Sequence, residues 1–555
     1  MGGEEQAAVR QRTMPDDAFH VYDTTLRDGA QQEGLSLSVA DKLTIARHLD
    51  ELGVGFIEGG WPGASPKDTE FFRRAHTELD LRQATLAAFG ATRRPGIKAA
   101  DDPLVGALRD SRAPIVTLVA KSHIRHVELA LRTTPAENLA MIRDTIEHLR
   151  AEGRRVFLDA EHFFDGYQAD PAYALEVVRL AAEAGADVVV LCDTNGGMLP
   201  GALAEVVDDV LAHTSSRLGI HCHDDTACAV ANSLAAVDAG VTHVQGTANG
   251  YGERCGNANL FSVVANLELK KGRQVLPPGA LGEMARVAHA VAEVTNVAPN
   301  QHQPYVGMSA FAHKAGLHAS AVKVDPSLYQ HIEPGSVGND MRMLVSDMAG
   351  RASIELKGRE LGYDLAGDRT TLTRIAERVK ALEATGYTFE AADASFALLL
   401  GEEVHGSRPR FYEVESYRVI VENRPGVGPD APHTAVSEAT VKLLAKGERI
   451  VATGEGNGPV HALDTALRQA LERIYPQLAG LELVDFKVRI LEGAHGTGAV
   501  TRVLVETSDG MDTWSTVGVH ENVIEASWQA LDDAVTFGLI RAGVTEVPGL
   551  SNTAH

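Results

Sequence analysis

Three polar clusters, far apart in the chain, carry residue types suited to a metal-assisted reaction. In Ile220-His-Cys-His-Asp-Asp225, His221 and His223 stand two positions apart. On a β-strand that spacing sends both imidazoles to one face, where they can take adjacent positions on a divalent ion. Arg27 and Asp28 follow the short apolar run Phe19 to Tyr22 and precede Gly29. Alone, such a pair is ordinarily a surface ion pair, but a strand ending in an Arg–Asp loop is also how an α/β barrel presents reactive groups. The third cluster, Gly246-Thr-Ala-Asn-Gly-Tyr-Gly-Glu-Arg-Cys-Gly-Asn-Ala-Asn259, has glycines that permit close backbone approach and an amide, Asn257, that can offer a neutral oxygen. Asp28, His221, His223 and Asn257 make a mixed nitrogen and oxygen set that suits Zn²⁺, Mn²⁺ or Mg²⁺.

The elements that must position them alternate regularly. Ser38-Val-Ala-Asp41 resembles a capping box, and Leu43, Ile45, Leu49 and Leu52 space an amphipathic helix that Gly53 ends. Val54 to Glu58 then reads as a strand, and further strands are expected near Ala84–Phe89, Pro114–Val119, Val156–Asp159, Asp187–Leu191, Leu218–Cys222 and His243–Gln245. Thr134-Pro-Ala-Glu137 caps a helix from Pro135 to Glu152. Gly53, Gly185 and Gly240 each stand where a helix turns into the next strand. About eight strand–helix units in roughly 250 residues is the size of a (β/α)8 TIM barrel. A doubly wound open sheet is the competitor, but the opening strand lacks GxGxxG, and reactive residues follow nearly every strand rather than one switch point. In a closed barrel the first, seventh and eighth strands are neighbours, so the three clusters converge.

Of the 555 residues, 44% are hydrophobic and 23% charged, as in a soluble protein of two or three domains. A net charge of -24 argues against nucleic acid as a partner. Four cysteines without CxxC spacing suit a reduced, cytoplasmic setting. No apolar run approaches the ~18 residues of a membrane span. Residues 1–17, lacking an apolar core segment, read as a disordered lead-in rather than a signal peptide, and 18–278 as the barrel. Residues 279–409 turn mostly helical, with helices from Leu281 to Val294 and from Thr370 to Thr385. Residues 410–545 form a strand-rich α+β domain and 546–555 a tail. Within the strand-rich part, Gly454, Ala462, Ala466, Leu467 and Ala470 align at constant offset with Gly518, Ala526, Ala530, Leu531 and Ala534, which predicts two copies of a βββα unit.

The motifs Asp23-Thr-Thr-Leu-Arg-Asp-Gly-x-Gln31, His221-x-His-Asp224 and Asn249-Gly-x-Gly-Glu-Arg-x-Gly-Asn257 resemble those of the 2-isopropylmalate, homocitrate and citramalate synthase family, metal-dependent barrels of the pyruvate-carboxyltransferase type. The resemblance runs from about residue 17 onward. Gly59-Gly-Trp-Pro-Gly-Ala-Ser-Pro66 and Phe311-Ala-His-Lys-Ala-Gly-Leu-His318 are most similar to its citramalate branch. It implies a Claisen-type condensation of acetyl-CoA with a 2-oxo acid, pyruvate in that branch and a larger acid in the 2-isopropylmalate branch. It further implies a homodimer whose C-terminal domain answers to an amino acid such as isoleucine. Carried over residue by residue, it makes Asp28, His221 and His223 metal ligands, Asn257 a weaker fourth, and Arg27 the group facing negative charge on the substrate. Glu161 becomes the catalytic glutamate and Thr194 the partner of the substrate carboxylate; the alternatives are a supporting carboxylate and a helix cap. His318 and Tyr329 become a proton-handling pair near the thioester, with His313 as a weaker substitute for the histidine, and Cys255 a small packing residue. A retro-aldol lyase and a non-catalytic metal sensor are the rival functions. The first fits the synthase form of the glycine loop poorly, and the second leaves Arg27, Glu161, His318 and Tyr329 idle.

Overall fold

Eight parallel strands close on themselves in chain order: β1 (His20–Asp23), β2 (Phe56–Glu58), β3 (Thr85–Ala91), β4 (Ile115–Lys121), β5 (Arg155–Glu161), β6 (Val188–Asp193), β7 (Arg217–Cys222) and β8 (His243–Gly246). The computed structural model describes residues 18–424, 434–491 and 498–546, so the lead-in expected over 1–17 and the tail beyond 546 lie outside the described residues. β1 pairs with β8 from His20 opposite His243 to Asp23 opposite Gly246, which excludes the open sheet. Strands flanked by helices on the outside and by one another within must be apolar on both faces, and every residue of β6 is buried.

The predicted punctuation is present. Ser38 accepts from the Asp41 amide at 3.2 Å while the Asp41 carboxylate accepts from the Ser38 amide at 2.7 Å. Thr134 caps its helix through the Glu137 amide. Gly53, Gly185 and Gly240 end their helices with φ of +91°, +98° and +123°, a region that L side chains avoid.

Inside the barrel, Tyr22, Phe56, Ile115, Phe157 and Val188 pack together, and beside them His20 and His243 face each other, Nδ1 to Nδ1, at 3.2 Å. Burial lowers the His20 pKa to about 3 and holds His243 well below its ordinary value, so the pair is neutral and one ring donates to the other. In the unfolded chain both take a proton below about pH 6.5. Stability from this pair is therefore complete above that pH and declines as pH falls from about 6.5 toward 3. Each ring contributes a slope of about 1.4 kcal/mol per pH unit. Urea midpoints of the barrel transition should fall between pH 7.5 and 5, and more gently in a His20→Gln variant; equal slopes would remove the pair as the cause.

The described residues fall into two compact units, one ending at Phe311 and regaining Ile332–Asp340, the other holding Ala312–His331 and everything from Met341 on. In the second, β9 (Ala312–His313) lies parallel to β10 (Arg342–Met343), and helices span Gly316–Val324, Arg351–Glu360, Arg369–Ala384 and Asp393–His405. Two antiparallel sheets follow. β11 (Tyr412–Arg424), β12 (Thr434–Ala445) and β13 (Glu448–Gly456) lead into a helix at Pro459–Leu471. β14 (Glu482–Ile490), β15 (Thr501–Ser508) and β16 (Thr513–His520) lead into one at Val523–Arg541. This is the duplicated βββα unit read from the sequence, and its aligned positions do the same work twice. A methyl at Gly454 would lie 2.5 Å from the Ala466 nitrogen, and one at Gly518 would lie 1.9 Å from the Ala526 carbonyl oxygen. Each glycine admits the backbone of its helix, whose buried alanines keep the approach close. The helix Asp393–His405 is tied to the second repeat through Ser395 Oγ donating to Asp533 at 2.5 Å. No helix among the described residues is long and apolar enough to cross a membrane.

Candidate active site

The strand ends of the barrel open into a cavity of about 490 Å³ whose walls include Arg27, Asp28, Glu161, Thr194, His221 and His223. These six were anticipated from the sequence and arise from four separate strand ends.

Arg27 and Asp28 sit in a tight turn after β1, where the Thr24 carbonyl accepts from the amides of Arg27, Asp28 and Gly29. Glu58, at the end of β2 and fully buried, gathers this turn. It accepts from Tyr22 at 2.7 Å, Thr24 at 2.5 Å and Arg27 Nε at 2.6 Å. The guanidinium lies 3.8 Å above the Phe89 ring. Burial alone would lower the Arg27 pKa, but Glu58, Asp28 and Asp159 outweigh it, so the charge is fixed. Burial likewise opposes an ionised Asp28, yet Arg27 and the two imidazoles hold its carboxyl well below the ordinary range.

Asp28 Oδ2 lies 3.2 Å from His221 Nε2 and 3.4 Å from His223 Nε2, and the two nitrogens are 3.1 Å apart. Three buried donor atoms so close around one point form a group able to hold a metal ion. β7 ends at Cys222, one residue short of His223, but the extended path continues because His223 bridges to Asn257. The orientation of His221 is set from behind: its Nδ1 meets Gln245 Oε1 at 2.8 Å, and Gln245 donates to Asp159 at 3.0 Å. This turns Nε2 toward Asp28, where a neutral ring would offer its lone pair to a metal ion. Asn257 gives its amide hydrogen to the Tyr251 carbonyl, while its buried Oδ1 has no hydrogen-bond partner. An orphaned buried oxygen beside the triad fits a further ligand position. Arg254 donates to His223 Nδ1 at 2.8 Å and to the Thr194 carbonyl at 2.9 Å. Both contacts fix the orientation of the His223 ring, with Nε2 turned toward Asp28.

Glu161 ends β5 and forms an ion pair with Lys121 at the end of β4. Thr194 caps no helix; its Oγ1 accepts from the His162 amide at 2.8 Å, which leaves its own hydrogen for a ligand. His318 and Tyr329 belong to the second unit, where their rings stack at 4.1 Å; His313 is buried 6.3 Å from His318. Cys255 is exposed, not packed as its small apolar character suggests, because the glycine loop turns it outward. No role follows from the sequence for Glu58, Lys121 and Gln245; Glu58 and Lys121 close their strands as polar residues, and Gln245 stands one short of the end of β8. That pattern is the only signal they offer.

Comparison with known proteins adds to this picture. The HMGL-like family model matches residues 18–291, the homocitrate synthase post-HMGL domain model 305–386, and the LeuA allosteric (dimerisation) domain model 390–539. An (R)-citramalate synthase from Streptomyces coelicolor is 70% identical, covering 95% of this chain and 98% of its own. One from Synechocystis is 48% identical over 96% and 98%. A 2-isopropylmalate synthase from Pyrococcus furiosus is 32% identical over 92% and 97%.

Proposed function

We propose, because this chain belongs to the (R)-citramalate synthase family, that it joins the acetyl group of acetyl-CoA to pyruvate, giving citramalate and CoA. The observation that carries the reading is the convergence of Arg27, the Asp28–His221–His223 group, Glu161 and Thr194 on one cavity. A divalent ion held there, Mg²⁺, Mn²⁺ or Zn²⁺, would be the Lewis acid that polarises the ketone of the 2-oxo acid. Asn257 is a fourth ligand position, and Gln245 orients His221 for the role.

Arg27 neutralises the negative charge that grows on oxygen as the new carbon–carbon bond forms, and its fixed charge suits that task. Glu161 takes the proton from the acetyl methyl, with Lys121 holding its carboxylate in place. Thr194 donates to the substrate carboxylate with the hydrogen left free by its bond from His162. His318 and Tyr329 manage protons at the thioester during its hydrolysis. Residues 410–545 pair two copies and take an amino-acid effector, isoleucine. Phe486, Val488 and Ile490, exposed on one face of the edge strand β14, give a second copy an apolar surface to cover. The four unpaired cysteines accord with a cytoplasmic setting.

The second reading, 2-isopropylmalate synthesis, uses the same machinery with a larger acid. Trp61 and Phe89, edge to face at 5.4 Å on the cavity wall, favour the small one. CoA release should be measured with glyoxylate, pyruvate, 2-oxobutyrate and 2-oxoisovalerate. We expect pyruvate to exceed 2-oxoisovalerate in kcat/KM by at least tenfold, the size of effect that extra methyl groups produce against a filled apolar wall. Preference for 2-oxoisovalerate would put the second reading in place of the first.

A further inference from the structure

In the pyruvate reading, Trp61 and Phe89 form the wall that turns larger acids away, and the Arg27 guanidinium covers the Phe89 ring at 3.8 Å. The Trp61 indole N–H is buried and, among the described residues, has no hydrogen-bond partner. Its ring therefore stands where packing and its own backbone put it, with no polar tether of its own. That backbone is gripped by two residues that do not line the cavity: Lys42 in the helix Val39–Leu52 and Asp68 in the helix Pro66–Glu78. We infer that the Lys42–Asp68 pair is a positioning device for Trp61 and thereby sets the size of 2-oxo acid the site accepts, an inference that rests on the pyruvate reading above.

The two charges divide their bonds along the loop after β2. Lys42 is buried; its Nζ donates to the Gly59 carbonyl at 3.1 Å and pairs with Asp68 Oδ1. The other oxygen, Asp68 Oδ2, accepts from the Trp61 amide at 2.9 Å. One ion pair thus holds both ends of the tripeptide Gly59–Trp61. The middle residue lets the carboxylate in: Gly60 has φ of +137°, and a methyl there would lie 2.4 Å from Asp68 Cγ. Its carbonyl accepts from the Phe89 amide at 3.0 Å, and the Trp61 carbonyl accepts from the Ser65 amide at 3.1 Å, so the loop is pinned to the strand whose ring Trp61 meets. Burial lowers the Lys42 pKa, and the Asp68 charge opposes that shift. Asp68 itself stands in the first turn of its helix, where the free backbone amides favour a negative charge. Apolar residues can replace a buried ion pair at little cost in stability. They could not hold a carbonyl at one end of a tripeptide and an amide at the other.

The test measures CoA release by the full chain with pyruvate and with 2-oxoisovalerate. In Asp68→Asn one acceptor oxygen becomes a donor, so the side chain can serve Lys42 or the Trp61 amide but not both. The ratio of kcat/KM for pyruvate to that for 2-oxoisovalerate should fall roughly fivefold, less than the about 10–200-fold that a methylene commands against an intact wall. Trp61→Ala should lower the same ratio, and adding Asp68→Asn to it should lower the ratio no further, because both changes act through one ring. A general loosening of the barrel would slow both acids alike. An unchanged ratio in Asp68→Asn therefore overturns the proposal, and so does a full further drop in the double variant. Lys42→Gln, which releases the Gly59 end alone, should shift the ratio in the same direction and decides the matter where Asp68→Asn does not fold. Apart from turnover, the emission of Trp61, read as the difference between each chain and its Trp61→Phe counterpart, should move to longer wavelength in Asp68→Asn; an unmoved band overturns the positioning. Should the wild-type chain prefer 2-oxoisovalerate or release no CoA, the pyruvate reading fails, while the emission still decides whether the pair places the ring.

Discussion

Replacing Asp28 with asparagine should strip the chain of tightly bound divalent metal and of turnover together. The side chain keeps its size and can still accept a hydrogen bond, so the fold is spared. What goes is the only negative charge between two imidazoles 3.2 and 3.4 Å away, with the fixed cation of Arg27 3.2 Å to the other side. A dication would then meet two imidazoles and an amide with no carboxylate between them. Changing a residue that merely orients a ligand costs about 10–100-fold in metal affinity or activity, and removing the charged ligand itself should exceed that range. His223→Ala should act in the same direction. Metal content by emission spectroscopy and kcat at saturating metal are the measurements, and full activity in Asp28→Asn would sink the metal assignment.

Arg27→Gln separates catalysis from stability at a second point. Loss of one preorganised group facing developing negative charge lowers kcat by about 10²–10³. The same change leaves Glu58 fully buried, bonded to Tyr22 and Thr24 but without its cation. Breaking a buried pair from one side costs about 3–5 kcal/mol. The double variant Arg27→Gln/Glu58→Gln should therefore recover most of the lost melting temperature and none of the lost turnover. If stability and activity return together, Arg27 acts only through the packing of the β1 turn.

The Asp28–His221–His223 triad is legible in the sequence because each of its members is announced by position. His221 and His223 carry the two-residue period of a strand, and Asp28 comes just after a strand that can be counted. The barrel is legible for the same reason, since capping residues or helix-ending glycines punctuate several of its units, as at Ser38, Gly53, Gly185 and Gly240. Glu58, Gln245 and Lys121 are not legible. Their function lies in what they touch across the barrel, and Glu58 meets Arg27 only because β1 and β2 pair in a register that periodicity does not specify. Thr194 shows the converse difficulty. Its place after β6 is readable, but that its hydroxyl serves the His162 amide rather than a helix end depends on how two loops meet. His318 and Tyr329 are spaced to meet within their own unit, and they do so as stacked rings.

The seam where β1 joins β8 also orders events in time. A ribosome delivers Asp28 early, His221 and His223 only with β7, and Asn257 only after β8 has emerged. Until β8 is made, the first strand has one neighbour, and the imidazoles at the end of β7 lack the strand whose pairing with β1 closes the ring beside Asp28. Metal therefore cannot nucleate this fold, as it does in small domains that are unstructured without it. It can only be loaded into a finished barrel. A nascent chain arrested before Gln245 should therefore bind a divalent ion far more weakly than the completed barrel.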